Sequence, residues 1–329
     1  MHDLLHLLRT LIQGFLCILA AGSVTLVSAA ADNYPSKPIT FIVPFGAGST
    51  TGVISRIIGQ HLGTALGGTV VVEDKPGANG AIAATYVARA APDGYTVFMS
   101  TNSPHSAAPS LNKSVPYDPV KDFMPVTRIG SFTLILVVNP DIPAKTIPEL
   151  IAYAKANPGK LTFASGNTSG VVAGETFKSW AGINLVHVPY RSSPPAVQDV
   201  IGGRVSMMFT DLAAGLPSVQ AGKLRALAVT RLQRSTLIPE LPTLDEAGVK
   251  GFDMDSWMAM FVPANTPPAI VTRLNTETRK IVDNPEIKAK IAALGFETFG
   301  STPGELGDFV KVQLVKWTKM IKDAGIQPE

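Results

Sequence analysis

The chain has 329 residues, a formal net charge of +3 and a single cysteine, Cys17. It carries no basic block and no face of interleaved basic and aromatic residues, so nucleic-acid binding has no footprint here. A mature chain lacking the N-terminal segment would have no disulfide, no thiolate nucleophile and no cysteine metal site.

Residues Met1 to Arg9 form a short lead in which Arg9 and Asp3 cancel, and Leu11 to Val27 is almost wholly apolar. Ser28-Ala29-Ala30-Ala31 follows. A charged start, an apolar middle and small residues at a cleavage point are the parts of a secretory signal peptide, removed after Ala30 or Ala31. The run is almost long enough for an uncleaved anchor, but Gln13, Gly14, Gly22 and Ser23 interrupt it and the small-x-small ending follows at once. Gly14-Phe15-Leu16 does not form the small-residue box that precedes a lipidated cysteine. The expectation is an exported, periplasmic protein with its signal peptide over 1–31. Roughly 300 residues remain, enough for two domains with cores of their own. A mild positive bias helps attract an anion.

Beyond the leader, short apolar strands alternate with amphipathic helices. Ile39 to Phe45 reads as a strand, Gly46 to Gly52 breaks it, and Val53, Ile54, Ile57, Ile58, His61 and Leu62 recur at helical spacing. Thr69 to Glu73 is a second strand, Ala78 to Ala90 a helix and Tyr95 to Ser100 a third strand. This order predicts a parallel sheet covered by helices. After an extended segment from Phe132 to Asn139, a second series follows. It has helices over Ile147–Ala156, Gly174–Ala181 and Ala196–Ile201, and strands over Leu161–Ala164, Leu185–Val188, Val205–Phe209 and Leu224–Thr230. Trp257 to Val262 reads as an extended return path. Helices over Pro268–Asp283, Pro285–Leu294 and Pro303–Ala324 close the chain, each with proline suited to a first helical turn. The last carries Leu306, Phe309, Val310, Leu314, Trp317 and Ile321 on one face, as core packing requires. The predicted division is lobe one over 32–130 with 257–329, and lobe two over 131–256.

The loop Gly46-Ala47-Gly48-Ser49-Thr50-Thr51-Gly52, between a strand and a helix, suits an anion. Its glycines let backbone approach a ligand, the helix start offers unpaired N–H groups, and three hydroxyls stand beside them. A similar element, Ser165-Gly166-Asn167-Thr168-Ser169-Gly170, lies in the second series. If the lobes face each other, both helix starts converge on one cleft. The competing reading is that each loop only caps its own helix. Bulky substitution at Gly48 or Gly166 is expected to abolish binding and leave folding intact. Gly46-x-Gly48 with Gly52 and a later Glu73 imitates a dinucleotide fingerprint, but the glycine spacing is wrong.

Catalytic constellations do not assemble. His61, His105 and His187 have no metal-ligand spacing and read as structural residues. No G-x-S-x-G elbow is present, and Asp253 and Asp255 alternate as on a solvated edge. Thr210-Asp211 ends a second-series strand, where ligands gather in parallel sheets; it serves equally as an N-cap for the segment from Leu212. No catalytic residue, metal site or cofactor is expected. An exported α/β enzyme acting on a carboxylated substrate is the alternative from another class.

The chain resembles the solute-binding receptors of the tripartite tricarboxylate transporter class, the Bug-type receptors. The matching segments are YPSKPITFIVPF (Tyr34–Phe45), VVVEDKPGANG (Val70–Gly80), APDGYTVFMST (Ala91–Thr101), PYDPVKDFMPV (Pro116–Val126), NPGKLTFASGN (Asn157–Asn167), VHVPYR (Val186–Arg191), AGKLRALAVT (Ala221–Thr230) and LPTLDEAGVKGF (Leu241–Phe252). The resemblance implies an α/β periplasmic-binding-protein fold of the Venus-flytrap, type II-like kind, with two lobes and crossing hinge strands. It implies that Phe45 to Thr51 and Ser165 to Gly170 grip one carboxylate, partly through water, and that Thr101, Asn102, Ser103, Thr210 and Asp211 line the rest. The implied partners are a small carboxylate and membrane transporter subunits, or a sensor protein, with the receptor a monomer. The chain departs from the family pattern at Gly52, where an aspartate is common, and at Ser49-Thr50, where glycine is. It departs again near Val171 and Val172, where a histidine is common, and at Thr210-Asp211, where an Asp-Asn pair stands. The far end of the ligand is expected to differ accordingly.

Overall fold

A computed structural model describes residues 34–190 and 192–328; the expected signal peptide lies outside the described residues. The chain opens with β1 (Ile39–Val43), α1 (Thr50–Leu66), β2 (Val70–Asp74), α2 (Ala81–Ala88) and β3 (Thr96–Thr101). After a one-turn α3 (Ala108–Leu111) comes β4 (Phe123–Phe132), which runs almost without a break into β5 (Leu134–Val138). The middle of the chain holds α4 (Ile147–Ala156), β6 (Thr162–Ser165), α5 (Thr168–Ala181), β7 (Val186–Pro189), α6 (Ser193–Ile201), β8 (Met207–Asp211), α7 (Leu212–Gln220) and β9 (Arg225–Val229). It returns through β10 (Ser256–Pro263) and ends with α8 (Pro268–Asp283), α9 (Pro285–Ala292), β11 (Phe296–Thr298) and α10 (Pro303–Asp323).

These strands form two sheets, one in the order β11-β4-β10-β3-β1-β2 and the other β7-β6-β8-β5-β9. Within each, the strands linked by helices are parallel as predicted: β1 with β2 and β3, β6 with β7 and β8. The sheets as wholes are mixed, which the alternation did not predict. β10 runs against β3 and β4, and β5 against β8 and β9. The cause is topological. β5 and β10 are the strands by which the chain enters a lobe from the other one, so each starts where its helix-linked neighbours end.

Both sheets are covered on two faces, and side chains alternate between the covers as strand geometry requires. In β1, Phe41 and Val43 enter one core with Ile58 and Leu274, while Ile42 enters another with Phe98 and Trp257. In β5, Leu134, Leu136 and Val138 pack with Phe163 and Phe177, and Ile135 and Val137 with Met208. α10 begins with a capping box between Thr302 and Glu305. Its Leu306 and Val310 join the core around Trp257, and its Trp317, Met320 and Ile321 join the core around Phe163. The helix therefore fastens both lobes. Phe309 and Leu314, placed on the same predicted stripe, are only partly buried.

The helix predicted over Ala78–Ala90 is shorter than expected, because a single 3₁₀ turn precedes it. Gly77, Ala78, Asn79 and Gly80 all have positive φ, of 129°, 46°, 54° and 86°. At Gly80 a side chain would come 3.1 Å from Pro44 and from Pro104, and this tight contact together with the positive φ favours glycine. No helix among the described residues is long and apolar enough to cross a membrane.

Candidate functional site

The segments that follow β1, β2, β3, β6, β7 and β8 line one cleft between the sheets, with a volume of about 1280 Å³. Its walls begin with helix starts. At α1, Ser49 is the N-cap and its Oγ accepts a hydrogen bond from the Gly52 N–H at 3.1 Å. At α5, Asn167 is the N-cap and its Oδ1 accepts from the Gly170 N–H at 2.9 Å. Each loop therefore does cap its own helix, and the same geometry leaves two N–H groups per helix, those of Thr50 and Thr51 and of Thr168 and Ser169, without an intrahelical acceptor. The capping and binding readings are compatible.

Two further helices also start at the cleft. Ser192, Ser193 and Pro194 of the α6 start and Asp211, Ala213 and Ala214 of the α7 start line the same space. Four positive dipole ends thus converge, each equivalent to about half an elementary charge. Among the described residues the lining contains no lysine or arginine. The helix starts give the cleft a backbone field that favours an anion.

The ionisable side chains on the wall have distinct surroundings. Glu175 is held by Lys178 at 2.7 Å. His187 stacks on Phe163 at 4.6 Å, with Nε2 2.7 Å from Ser165 Oγ. Burial lowers its pKa and favours the neutral ring. Asp211 sits at the cap position of α7 but makes no side-chain capping bond; Asn167 Nδ2 donates to its Oδ2 at 3.3 Å. Burial pushes the Asp211 carboxyl up to about 6, against the smaller opposing effect of the Asn167 hydrogen bond.

Side chains from both lobes meet at the cleft floor. Asn102 Nδ2 donates to Ser169 Oγ at 3.1 Å, and Ser256 Oγ donates to Asn102 Oδ1 at 3.0 Å. Ser169 and Ser256 lie 3.3 Å apart through their hydroxyls. Thr168 Oγ1 donates to Asn79 Oδ1 at 3.1 Å.

Of the residues expected to bind ligand, Phe45 to Thr51, Thr101 to Ser103, Ser165 to Ser169 and Asp211 line the cleft. Gly170 and Thr210 do not. Gly170 lies against β8, where a side chain would come 3.0 Å from the Phe209 carbonyl oxygen. Thr210 is fully buried because it alternates with Asp211 along the strand. The boundaries shift as well, since Thr50 and Thr51, like Thr168 to Gly170, belong to helical first turns rather than to loops.

Sequence reasoning missed Pro76, Gly77, Asn79 and Gly80 as cleft residues; the Pro-Gly-x-Asn-Gly cluster is a turn signal, and Asn79 and Gly80 fall instead in the helix expected over Ala78–Ala90. It also missed His187, Ser192 and Ser193, and the tail from Ala324 to Pro328, for which no local signal exists. Of the departures from the family pattern, Val171 is on the cleft wall, while Gly52 lies where a side chain would come 2.8 Å from Arg56 Nη1. The other titratable candidates are structural. His105 is fully buried, bonded through Nδ1 to Ser100 Oγ at 2.7 Å and stacked on Phe261 at 4.0 Å, with its pKa driven down to about 3 by burial. Asp255 pairs with Arg128 at 2.9 Å and Asp253 with Lys316 at 2.5 Å, so they do not form the solvated edge predicted for them.

Comparison with known proteins agrees with this geometry. The profile of the family described as "Tripartite tricarboxylate transporter family receptor" matches residues 54–326. Protein BugT of Bordetella pertussis is 34% identical over 311 residues, covering 94% of this chain and 95% of that protein. Rpa4515 of R. palustris, solved with adipate, superposes with a TM-score of 0.84 at 34% identity, covering 90% of this chain and 100% of that one. MatC of Rhodopseudomonas palustris, solved with malate, gives 0.78 at 27% identity, covering 88% and 100%.

Proposed function

The chain belongs to the tripartite tricarboxylate transporter receptor family, and from that premise we propose that it captures a small carboxylate in the periplasm for membrane transporter subunits. The observation that carries the carboxylate is the convergence of four helix N-termini on one cleft. Each hydrogen bond to a charged group contributes roughly 1.5–3 kcal/mol net. Three or four suffice for about micromolar binding, near −8 kcal/mol, after the costs of association. The adipate and malate bound by the two structural relatives support the same class of ligand.

In this reading lobe one is 32–130 with 257–329, lobe two is 131–256, and a leader over 1–31 directs export. Of the eighteen residues from Phe45 to Asp211 singled out in the sequence, sixteen supply the binding surface, with Gly170 and Thr210 acting from behind it. The receptor is monomeric and non-catalytic, in keeping with a family of receptors.

The test is thermal unfolding of the purified mature protein with mono-, di- and tricarboxylates and amino acids, alongside neutral sugars and amides. A ligand at about a hundred times its dissociation constant adds roughly 2.7 kcal/mol of stability. The expected result is a raised midpoint with carboxylates only. A shift with neutral sugars and none with any carboxylate overturns the anion grip, and turnover of a ligand seen by mass spectrometry overturns the non-catalytic reading.

A further inference from the structure

We infer that Asp211 is a specificity-determining residue of the cleft: its carboxylate accepts a hydrogen bond from the solute, so the receptor favours carboxylates that also carry an amino, amide or hydroxyl donor over plain dicarboxylates. The inference rests on the carboxylate reading above and narrows it.

The placement of Asp211 follows from the strand. β8 ends at Asp211, paired across the ladder with Leu134. Thr210 points into the protein and Asp211, next along the pleat, is on the cleft wall. Although it occupies the N-cap position of α7, its side chain caps nothing. It reaches instead toward Asn167, which donates to it at 3.3 Å while capping α5 through its other side-chain atom. Asn167 thus couples Asp211 to one of the helix starts that grip the anion.

A carboxylate has room for about four hydrogen bonds, and one long bond from Asn167 with one from its own backbone N–H leaves part of that capacity open. No lysine or arginine among the described residues forms an ion pair with it. A half-buried carboxylate with no ion-pair partner among the described residues is costly to keep charged, and a solute that brings a donor relieves the cost. A second solute carboxylate in the same place meets like charge and is rejected, which is selection by repulsion as well as by attraction.

Protonation removes this selection. With its carboxyl raised to about 6 by burial, Asp211 is an acceptor at pH 8 and largely protonated at pH 5. Once protonated it donates, and it no longer rejects a second carboxylate. The other charged groups around it keep partners of their own. On α5, Glu175 is held by Lys178. Behind the α7 start, Glu297 of β11 is held by Arg231 at 3.2 Å and accepts from Ser235 at 2.8 Å and from Thr133 at 3.1 Å. On β7, His187 is biased to neutrality.

The experiment is isothermal titration calorimetry of the mature receptor with succinate, malate and aspartate, and with adipate and 2-aminoadipate as a longer pair, at pH 8 and pH 5. Within a length class, the donor-bearing solute is expected to bind at least about tenfold tighter than the plain dicarboxylate at pH 8, with the ratio falling toward one at pH 5. Asp211→Asn keeps the shape and removes the charge; it should raise affinity for the plain dicarboxylate and abolish the pH dependence of the ratio. A preference for the plain dicarboxylate at pH 8, or a ratio identical in wild type and Asp211→Asn, overturns the inference while leaving the carboxylate reading in place. Failure of every carboxylate to bind overturns both.

Discussion

At Gly166 a methyl group would overlap the backbone of Ser192 and Ser193, so the absence of a side chain is what lets the β6–α5 turn sit against the start of α6. Sequence alone presented Gly48 and Gly166 as equivalent places to block the cleft, and the structure separates them. Gly48 has φ of 84° with open space around it, and Gly166 is packed against backbone. Gly46 has neither restriction, since a methyl group there would find no neighbouring atom within 4 Å. Gly46→Val is therefore the clean blocking substitution. It should leave the melting temperature within about a degree of wild type and weaken carboxylate binding by at least about tenfold. Gly166→Ala should instead cost about 1–3 kcal/mol of stability through forced backbone movement. Thermal melts and calorimetric titrations of the two variants check this; a Gly46→Val protein with wild-type affinity would place the ligand away from the α1 start.

At the scale of elements, two of the four helix starts, those of α1 and α5, were legible because each combines a β-rich run, a break of glycine and hydroxyl residues and a following helix. Ile39–Phe45, Gly46–Gly52 and Val53–Leu62 needed no tertiary information. The directions of β5 and β10 were not legible, because they depend on which lobe the chain has just left. The left-handed run from Gly77 to Gly80 was also hidden, since the two non-glycine residues in it adopt positive φ only under tertiary packing. The role of α10 was half legible: its stripe was read as core, but not that the stripe serves two cores. Trp317 is fully buried in the lobe-two core, Ser110 and Thr318 meet through their hydroxyls at 2.8 Å, and Ser179 Oγ donates to the Asp323 carbonyl at 3.2 Å. Trp317→Ala should cost about 3–5 kcal/mol, while Val315→Ala, on the exposed face of the same helix, should change stability by no more than about 0.5 kcal/mol. Urea unfolding of both variants measures the difference, and equal midpoints would show that α10 does not fasten the lobes.

For the whole molecule, the question is what holds the lobes together over the cleft and what lets them part. Two sets of contacts cross between them. At the pivot, Glu297 in the first sheet binds Arg231 and Ser235 from beyond the second, beside Thr133 on the short passage from β4 to β5. At the cleft floor, Asn102 joins the end of β3 to Ser169 at the start of α5 and to Ser256 at the start of β10. The pivot contacts lie beside a crossing strand and survive a hinge rotation, whereas the bond from Asn102 to Ser169 spans the gap that opening widens. In the open form water can satisfy those groups, so their bond biases closure without being needed for folding. Ser169 and Ser256 can still bond each other when Asn102 is truncated, which limits the penalty to about 1–2 kcal/mol of the closed form, or roughly 5–30-fold in affinity. Because a lowered closed population weakens the apparent affinity of a ligand that binds the closed form, the same change must appear without ligand as a larger average dimension. Asn102→Ala is therefore expected to weaken carboxylate binding and to raise the ligand-free radius of gyration in small-angle X-ray scattering, with the ligand-saturated radius restored to the wild-type value. Lost affinity with an unchanged ligand-free radius would make Asn102 a direct ligand contact instead, and an unchanged affinity would remove it from both roles.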